Sequence, residues 1–311
     1  DIYSIDAESG ERTLITHNAS VVLSAANVSP DGEALVWYDL KKKQYQLWNG
    51  SKIRAISKGV KHPLWEEEND VPDDPNPHGF AGWLADNTAC LIYDRFDLWK
   101  LDTSNSKPPI RLTDKGREHK VRYRLVRLQS DEKPWQVGQP LAIRGFRESD
   151  KKEQLIQTNW NGSSLTTQRL TAFIPNIITS IQKAKQADRW IYTLENFQQS
   201  PDLYTQVSNS NPVKLSNLNP QQQNYNWGTA ELYRWTALDG KPATGVVYKP
   251  ENFDPKKKYP LILYFYETHT DALNQYIPPT PTGSRLNISF FVSRGYIVCS
   301  PDIHYTTGQP A

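Results

Sequence analysis

The stretch Tyr259-Pro260-Leu261-Ile262-Leu263-Tyr264-Phe265-Tyr266-Glu267 decides how the second half of the chain is read. Its apolar run from Leu261 to Tyr266 is unbroken, follows a proline, and is bounded by charge at Lys256 to Lys258 and at Glu267. That pattern predicts a strand buried on both faces, as strands of parallel sheets are. Downstream, Leu286, Phe290 and Phe291 stand at helical spacing, and the pattern ends at Gly295, which can take the left-handed conformation that closes a helix. Tyr296 to Ser300 then forms a second apolar run. Strand, helix and strand in this order predict one crossover unit of an α/β sheet.

Working upstream, Glu231 to Trp235 alternates, Asp239-Gly240 suits a tight reversal, and Gly245 to Tyr248 runs back. An antiparallel hairpin is therefore expected ahead of the parallel unit. Several α/β folds open with such a mixed sheet, and geometry alone does not choose among them.

The letters are more specific. WGTAELYRWTALDGKPATGVVYKPENFDPKKKYPLILYFYE, from Trp227 to Glu267, and NISFFVSRGYIVCSPDIHY, from Asn287 to Tyr305, resemble the start of the catalytic domain in the prolyl oligopeptidase family of serine peptidases, above all its dipeptidyl peptidase IV-like branch. In that family an eight-bladed β-propeller precedes an α/β-hydrolase domain and narrows access to a Ser-Asp-His site. The resemblance implies a peptide substrate cleaved by acyl transfer, no cofactor, export to the periplasm or the cell exterior, and a homodimer formed through a C-terminal part.

No G-x-S-x-G occurs in the 311 residues, and in an α/β-hydrolase that elbow presents the nucleophilic serine. The sequence ends at Gly308-Gln309-Pro310-Ala311, where the family runs on towards the elbow. The triad is thus expected beyond residue 311, and the chain alone is expected to be inactive. A second reading is a non-catalytic propeller module that binds a peptide or protein partner.

The first 220 residues carry an internal repeat. Asp1-Ile2-Tyr3 with Leu14-Ile15-Thr16, Gln46-Leu47-Trp48 with Ala55-Ile56-Ser57, Asp97-Leu98-Trp99 with Arg111-Leu112-Thr113, Gln154-Leu155-Ile156 with Arg169-Leu170-Thr171, and Asp202-Leu203-Tyr204 with Lys214-Leu215-Ser216 share one plan. Each pairs a strand with a polar turn and an apolar-Ser/Thr ending. The third residues step by 45, 51, 57 and 48, a blade-like period. Between these hairpins, Ser29-Pro30-Asp31-Gly32 is a turn that leads into Ala34 to Tyr38, and Gly82 to Asn87 followed by Ala89 to Tyr93 repeats it. The expected architecture is a partial all-β propeller of about four to five blades over residues 1–220, followed over residues 221–311 by the beginning of an α/β-hydrolase domain, with Pro220 to Asn226 as linker.

Two positions carry candidate chemistry. Glu66-Glu67-Glu68 follows Trp65 and leads into a loop with Asp70, Asp73 and Asp74. By charge alone this is a solvated acidic loop. By the resemblance, an aromatic-Glu-Glu-Glu stretch supplies two carboxylates that hold the free α-amino group of the substrate, here Glu67 and Glu68. Tyr266 stands where the family places a tyrosine whose hydroxyl donates to the oxyanion of the tetrahedral intermediate. His269, His304 and Asp302 invite a triad reading that the missing elbow argues against, with Asp302 at a position the family gives to a structural aspartate.

Composition narrows the partners. Thirty-six basic and thirty-four acidic residues give a formal charge of +2, which carries no polyanion-binding bias, so no nucleic-acid partner is expected. The six histidines show no paired ligand spacing, so no metal is expected. No apolar run reaches membrane-spanning length. Cys90 and Cys299 lie in separate strand-like runs, and a disulfide between them is not expected.

Overall fold

The computed structural model describes residues 1–21, 26–104, 106–128 and 134–305. The terminal Gly308 to Ala311 lies outside the described residues. A hairpin of β1 (Ile2–Ile5) and β2 (Arg12–Thr16) comes first. Four sheets of four strands follow. The first contains β3 (Asn27–Val28), β4 (Leu35–Asp39), β5 (Gln44–Trp48) and β6 (Ile53–Ala55). Next come β7 (Phe80–Trp83), β8 (Ala89–Tyr93), β9 (Leu98–Asp102) and β10 (Ile110–Arg111). After the short helix α1 (Gly116–His119), a third sheet holds β11 (Val121–Val126), β12 (Pro140–Arg147), β13 (Lys152–Trp160) and β14 (Leu165–Arg169). The fourth holds β15 (Ile177–Lys183), β16 (Trp190–Asn196), β17 (Gln199–Gln206) and β18 (Val213–Lys214).

In each of the four, sequential strands are spatial neighbours. Such meanders are propeller blades, and the leading hairpin is the outer half of another, so the propeller expectation holds. The five repeats of the sequence coincide with β1/β2, β5/β6, β9/β10, β13/β14 and β17/β18.

One hydrogen bond explains why the apolar-Ser/Thr ending recurs. The N–H of Tyr45, Leu98, Leu155 and Leu203 donates to the hydroxyl of Ser57, Thr113, Thr171 and Ser216 at 2.9, 3.0, 2.8 and 2.8 Å. In two blades the hydroxyl in turn donates to an aspartate, Thr113 to Asp97 at 2.6 Å and Ser216 to Asp202 at 2.7 Å. The hydroxyl satisfies a strand N–H that the outermost strand leaves free, and the carboxylate polarises the hydroxyl. This bond corrects the alignment of the second repeat. Tyr45, not Leu47, occupies the place of Leu98, so Gln46 rather than Trp48 is the residue equivalent to Trp99. Gln46-Leu47-Trp48 imitates the pattern two residues late.

The inner-strand turns also correspond. Gly32 N–H donates to Ser29 carbonyl at 2.9 Å and Asn87 N–H to Leu84 carbonyl at 3.1 Å, and Asp31 and Asp86 each accept the N–H two residues on.

The last sheet is mixed. β19 (Thr229–Thr236) and β20 (Pro242–Lys249) form the expected hairpin, and β21 (Leu261–Leu263), α2 (Ile288–Val292) and β22 (Ile297–Pro301) complete the crossover. The order is β19-β20-β22-β21, with β21 parallel to β22. One expectation fails here. The strand predicted from Leu261 to Tyr266 stops at Leu263, and Leu261 and Leu263 are 57% and 60% exposed rather than buried. Alternate side chains of a strand point to opposite faces of the sheet, and here Ile262 packs on the core around Val246 and Val298 while the face shared by Leu261 and Leu263 stays largely open. The helix is a single turn that Asn287 caps by accepting from Phe290 N–H at 2.9 Å; it buries Ile288, Ser289 and Val292, with Leu286 and Phe291 packed against the same core and Phe290 exposed. Gly295 closes it at φ +86° as expected.

The chain divides into two compact units, Asp1–Leu125 with Ser130–Leu141 and Thr158–Thr166, and Val126–Gln129 with Ala142–Gln157 and Thr167–Ala311. The first has two cores, one around Tyr38, Tyr45, Cys90 and Ile92 and one around Leu84, Leu91, Trp135 and Trp160. The second packs Leu155, Ile178, Trp190 and Tyr192 together, and Phe197, Val246, Tyr248, Ile288, Val292 and Val298 together. Pro220–Asn224, read as linker, forms a 3-10 turn with no buried residue. Cys90 and Cys299 are free thiols.

Candidate functional site

The acidic triplet sits on a hairpin of the first unit. Trp65 bridges Pro77, Glu66 N–H donates to Asn76 carbonyl at 2.8 Å, and His78 N–H donates to Leu64 carbonyl at 2.9 Å. Three prolines stiffen the return limb by fixing its φ angles. The Asn69 carboxamide closes the tip by donating to the carbonyls of Val71 and Asp73 at 3.0 and 3.2 Å. Asp74 meets Lys41 at 2.6 Å.

Glu67 and Glu68 each face an arginine. Both oxygens of Glu67 accept from the two terminal nitrogens of Arg117 at 3.1 Å, a fork that fixes the plane of the carboxylate. Glu68 Oε1 lies 2.6 Å from Arg95. The ring of Phe96 carries both guanidinium groups, with centroid distances of 5.2 Å to Arg95 and 5.0 Å to Arg117.

The blade repeat places Arg117. Buried Asp97, which accepts from Thr113, also accepts from Gly116 N–H at 3.2 Å and Arg117 N–H at 3.4 Å, and so sets the start of α1. A Cβ at Gly116 would stand 2.6 Å from the Asp97 oxygen, so the close approach requires glycine there. Burial raises the Asp97 carboxyl above its ordinary value, with the Thr113 hydroxyl opposing.

His78 completes the cluster, with Nε2 3.9 Å from Glu67. Burial, with Arg124 nearby, pushes its pKa down to about 4 against the pull of Glu67, so the ring is neutral at physiological pH. A carboxylate holds about four acceptor positions, and the arginine fork takes two of Glu67's. The remaining lone pairs can accept an ammonium. The sequence offered no sign of Arg95, Arg117 or His78, because Arg117 lies 50 residues from Glu67 and no local pattern links them.

In the second unit, Tyr266 lies beyond the end of β21 and is 75% exposed. The backbone after it is held by Asp302, whose carboxylate accepts from His269 N–H at 2.6 Å, Thr270 N–H at 3.0 Å, Thr270 hydroxyl at 2.5 Å and Thr244 hydroxyl at 3.3 Å. Ile303 N–H donates to Glu267 carbonyl at 2.8 Å. His269 Nδ1 meets Ser300 Oγ, and the Ser300 hydroxyl donates to Tyr264 carbonyl at 2.8 Å. Ser300, His269 and Asp302 are therefore not a catalytic relay: the serine is buried with its proton committed, and the aspartate holds the backbone of His269 rather than its ring. Among the described residues, no group of three or more His, Cys, Asp or Glu side chains could hold a metal ion, and no helix is long and apolar enough to cross a membrane.

No protein-family model and no curated protein matches the chain. Solved structures do. A Bacteroides ovatus protein described as a dipeptidyl aminopeptidase IV superposes with a TM-score of 0.55 at 14% identity, over 89% of this chain and 40% of its own. A post-proline cleaving enzyme from Rickettsia typhi superposes with a TM-score of 0.52 at 11% identity, over 88% of this chain and 38% of its own. The chain has their fold. The chain spans less than half the length of either structure. A match over nearly nine tenths of the chain includes residues of both the blades and the mixed sheet.

Proposed function

We propose that these residues are the propeller and the leading sheet of a serine peptidase of the prolyl oligopeptidase family, dipeptidyl peptidase IV-like branch, which hydrolyses short peptides by acyl transfer. The observation that carries this reading is the succession of four-stranded blades into a mixed sheet, superposed over most of the chain on a protein described as a dipeptidyl aminopeptidase IV. In this reading residues 1–220 are propeller, residues 221–311 begin the α/β-hydrolase domain, and a serine, an aspartate and a histidine from outside the 311 residues supply the triad.

Tyr266 is the oxyanion donor. Its exposure supports the role, because a hydroxyl sealed in a core cannot reach a substrate. Glu67 and Glu68 bind the substrate's free amino group, with Arg117 and Arg95 holding the two carboxylates in place while leaving lone pairs free. The whole enzyme is exported and dimerises through its C-terminal part.

A fluorophosphonate probe tests the reading. It labels the serine of the full-length parent and leaves the 311-residue chain unlabelled. A parent that resists labelling, and whose gene lacks G-x-S-x-G downstream, would instead be a non-catalytic propeller that binds a partner. Labelling of the 311-residue chain would place a nucleophile that the proposal omits.

A further inference from the structure

A cleft of about 660 Å³ lies within the second unit. Its volume falls in the roughly 300–1,000 Å³ span of small-molecule sites. The start of β17, the 3-10 turn Pro220–Asn224, Trp227 to Thr229 and the loop Pro250 to Phe253 line it.

Of its three charged side chains, Asp202 and Lys214 compensate each other and Glu251 keeps its negative charge. Asp202 meets Lys214 at 2.7 Å and also accepts from Ser216, while Glu251 accepts Trp227 N–H at 2.9 Å. What remains is neutral and polar. The carboxamides of Gln198, Asn217, Gln223 and Asn252 line the cleft and form no hydrogen bond among the described residues. Tyr225 adds a ring that is 68% exposed. We propose that this cleft binds a neutral oligosaccharide.

The chemistry is complementary. A carboxamide offers a donor and an acceptor side by side, which matches adjacent sugar hydroxyls that each donate and accept. An exposed tyrosine offers a flat apolar face for the C–H face of a pyranose and a polar tip for its rim. An anionic ligand would find no free counter-charge, since Lys214 is paired with Asp202, and Glu251 offers a cation a single carboxylate. A peptide is poorly served too, since extended peptides use a sheet edge, a helical groove or an array of aromatic rings. The sheet edges here are the two-residue β18 and β19, which reaches the cleft only at Thr229. The other rings are engaged: Trp227 stacks on Tyr276 at 5.2 Å and donates its indole N–H to Phe197 carbonyl, and Phe253 packs on Tyr259 at 5.1 Å.

The test is calorimetric titration of the 311-residue chain with cellohexaose, chitohexaose and maltohexaose, and with a proline-rich decapeptide as the competing class. At least one neutral hexasaccharide binds saturably, the decapeptide does not, and Tyr225→Ala weakens the sugar at least tenfold with an unchanged melting curve, because Tyr225 is exposed. Gln223→Ala weakens it as well. The proposal is overturned if none of the three sugars saturates, if the decapeptide binds in their place, or if Tyr225→Ala leaves sugar affinity as it was. None of these readouts depends on peptidase activity, so the cleft and the peptidase reading stand or fall separately.

Discussion

Asp302 grips Thr270 twice, accepting its N–H at 3.0 Å and its hydroxyl at 2.5 Å, and so ties the end of β22 to the turn that follows Tyr266. The same carboxylate holds His269 N–H. Replacing it leaves buried donors with no acceptor, which costs about 1–3 kcal/mol for each donor that water cannot reach. Asp302→Ala is expected to lower the unfolding free energy by about 3 kcal/mol, read from urea denaturation followed by tryptophan fluorescence. A midpoint equal to the parent's would mean that the turn holds itself.

The blade hydroxyls allow a graded test. Thr113→Val keeps the shape but orphans the buried Leu98 N–H and takes the shortest donor from the buried Asp97 carboxylate, which keeps only the longer bonds from Gly116 and Arg117, so a loss of about 2 kcal/mol is expected. Ser216→Ala should cost less, because the Leu203 N–H it frees is only half-buried and within reach of water, and Asp202 keeps Lys214 at 2.7 Å. If the two variants melt in the opposite order, the hydroxyl-carboxylate relay is not what secures the outer strands.

His78 gives a pH signature with a defined sign. Its folded pKa of about 4 lies below the ordinary value of 6.5, so between these values the unfolded chain takes up a proton that the folded one refuses. The stabilising contribution is complete above pH about 6.5 and fades as the pH drops towards 4. The His78 ring proton should titrate in NMR with a midpoint near 4, and His78→Gln should flatten the fall of stability across that window. A midpoint between 6 and 7 would place the ring in solvent.

For the proposed amine site, the paired change Glu67→Gln with Glu68→Gln, made in the full-length parent, is expected to raise KM about tenfold for peptides with a free amino terminus, one charge-assisted contact being worth about 1.4 kcal/mol. N-blocked peptides should be unaffected. Equal effects on both substrate classes would remove the carboxylates from amine recognition and leave them as partners of Arg117 and Arg95 alone.

The parts of the fold legible in the sequence are those made by short-range contacts. Leu98 and Thr113, or Leu203 and Ser216, lie close along the chain, so the repeat of apolar residue and hydroxyl could be read directly, and so could the turns at Gly32, Asn87 and Gly240. The limit appears at Gln46-Leu47-Trp48, where the letters fit two registers and the hydrogen bond from Tyr45 to Ser57 selects one. Arg117 escaped notice for the opposite reason. Its meeting with Glu67 depends on Asp97, Gly116 and the turn of α1 acting together, and residue spacing carries no trace of that.

By itself, then, the chain's order of residues determined the alternation of strands and turns, the blade-like repeat and the switch to a crossover sheet after Trp227, because hairpins and a single βαβ step are settled by neighbours along the backbone. Tertiary structure alone decided which faces are buried and which charges meet. Leu261 and Leu263 are as apolar as any core strand, yet burial is conferred by what packs on the face a side chain points to, and on their face of the sheet both stay more than half exposed.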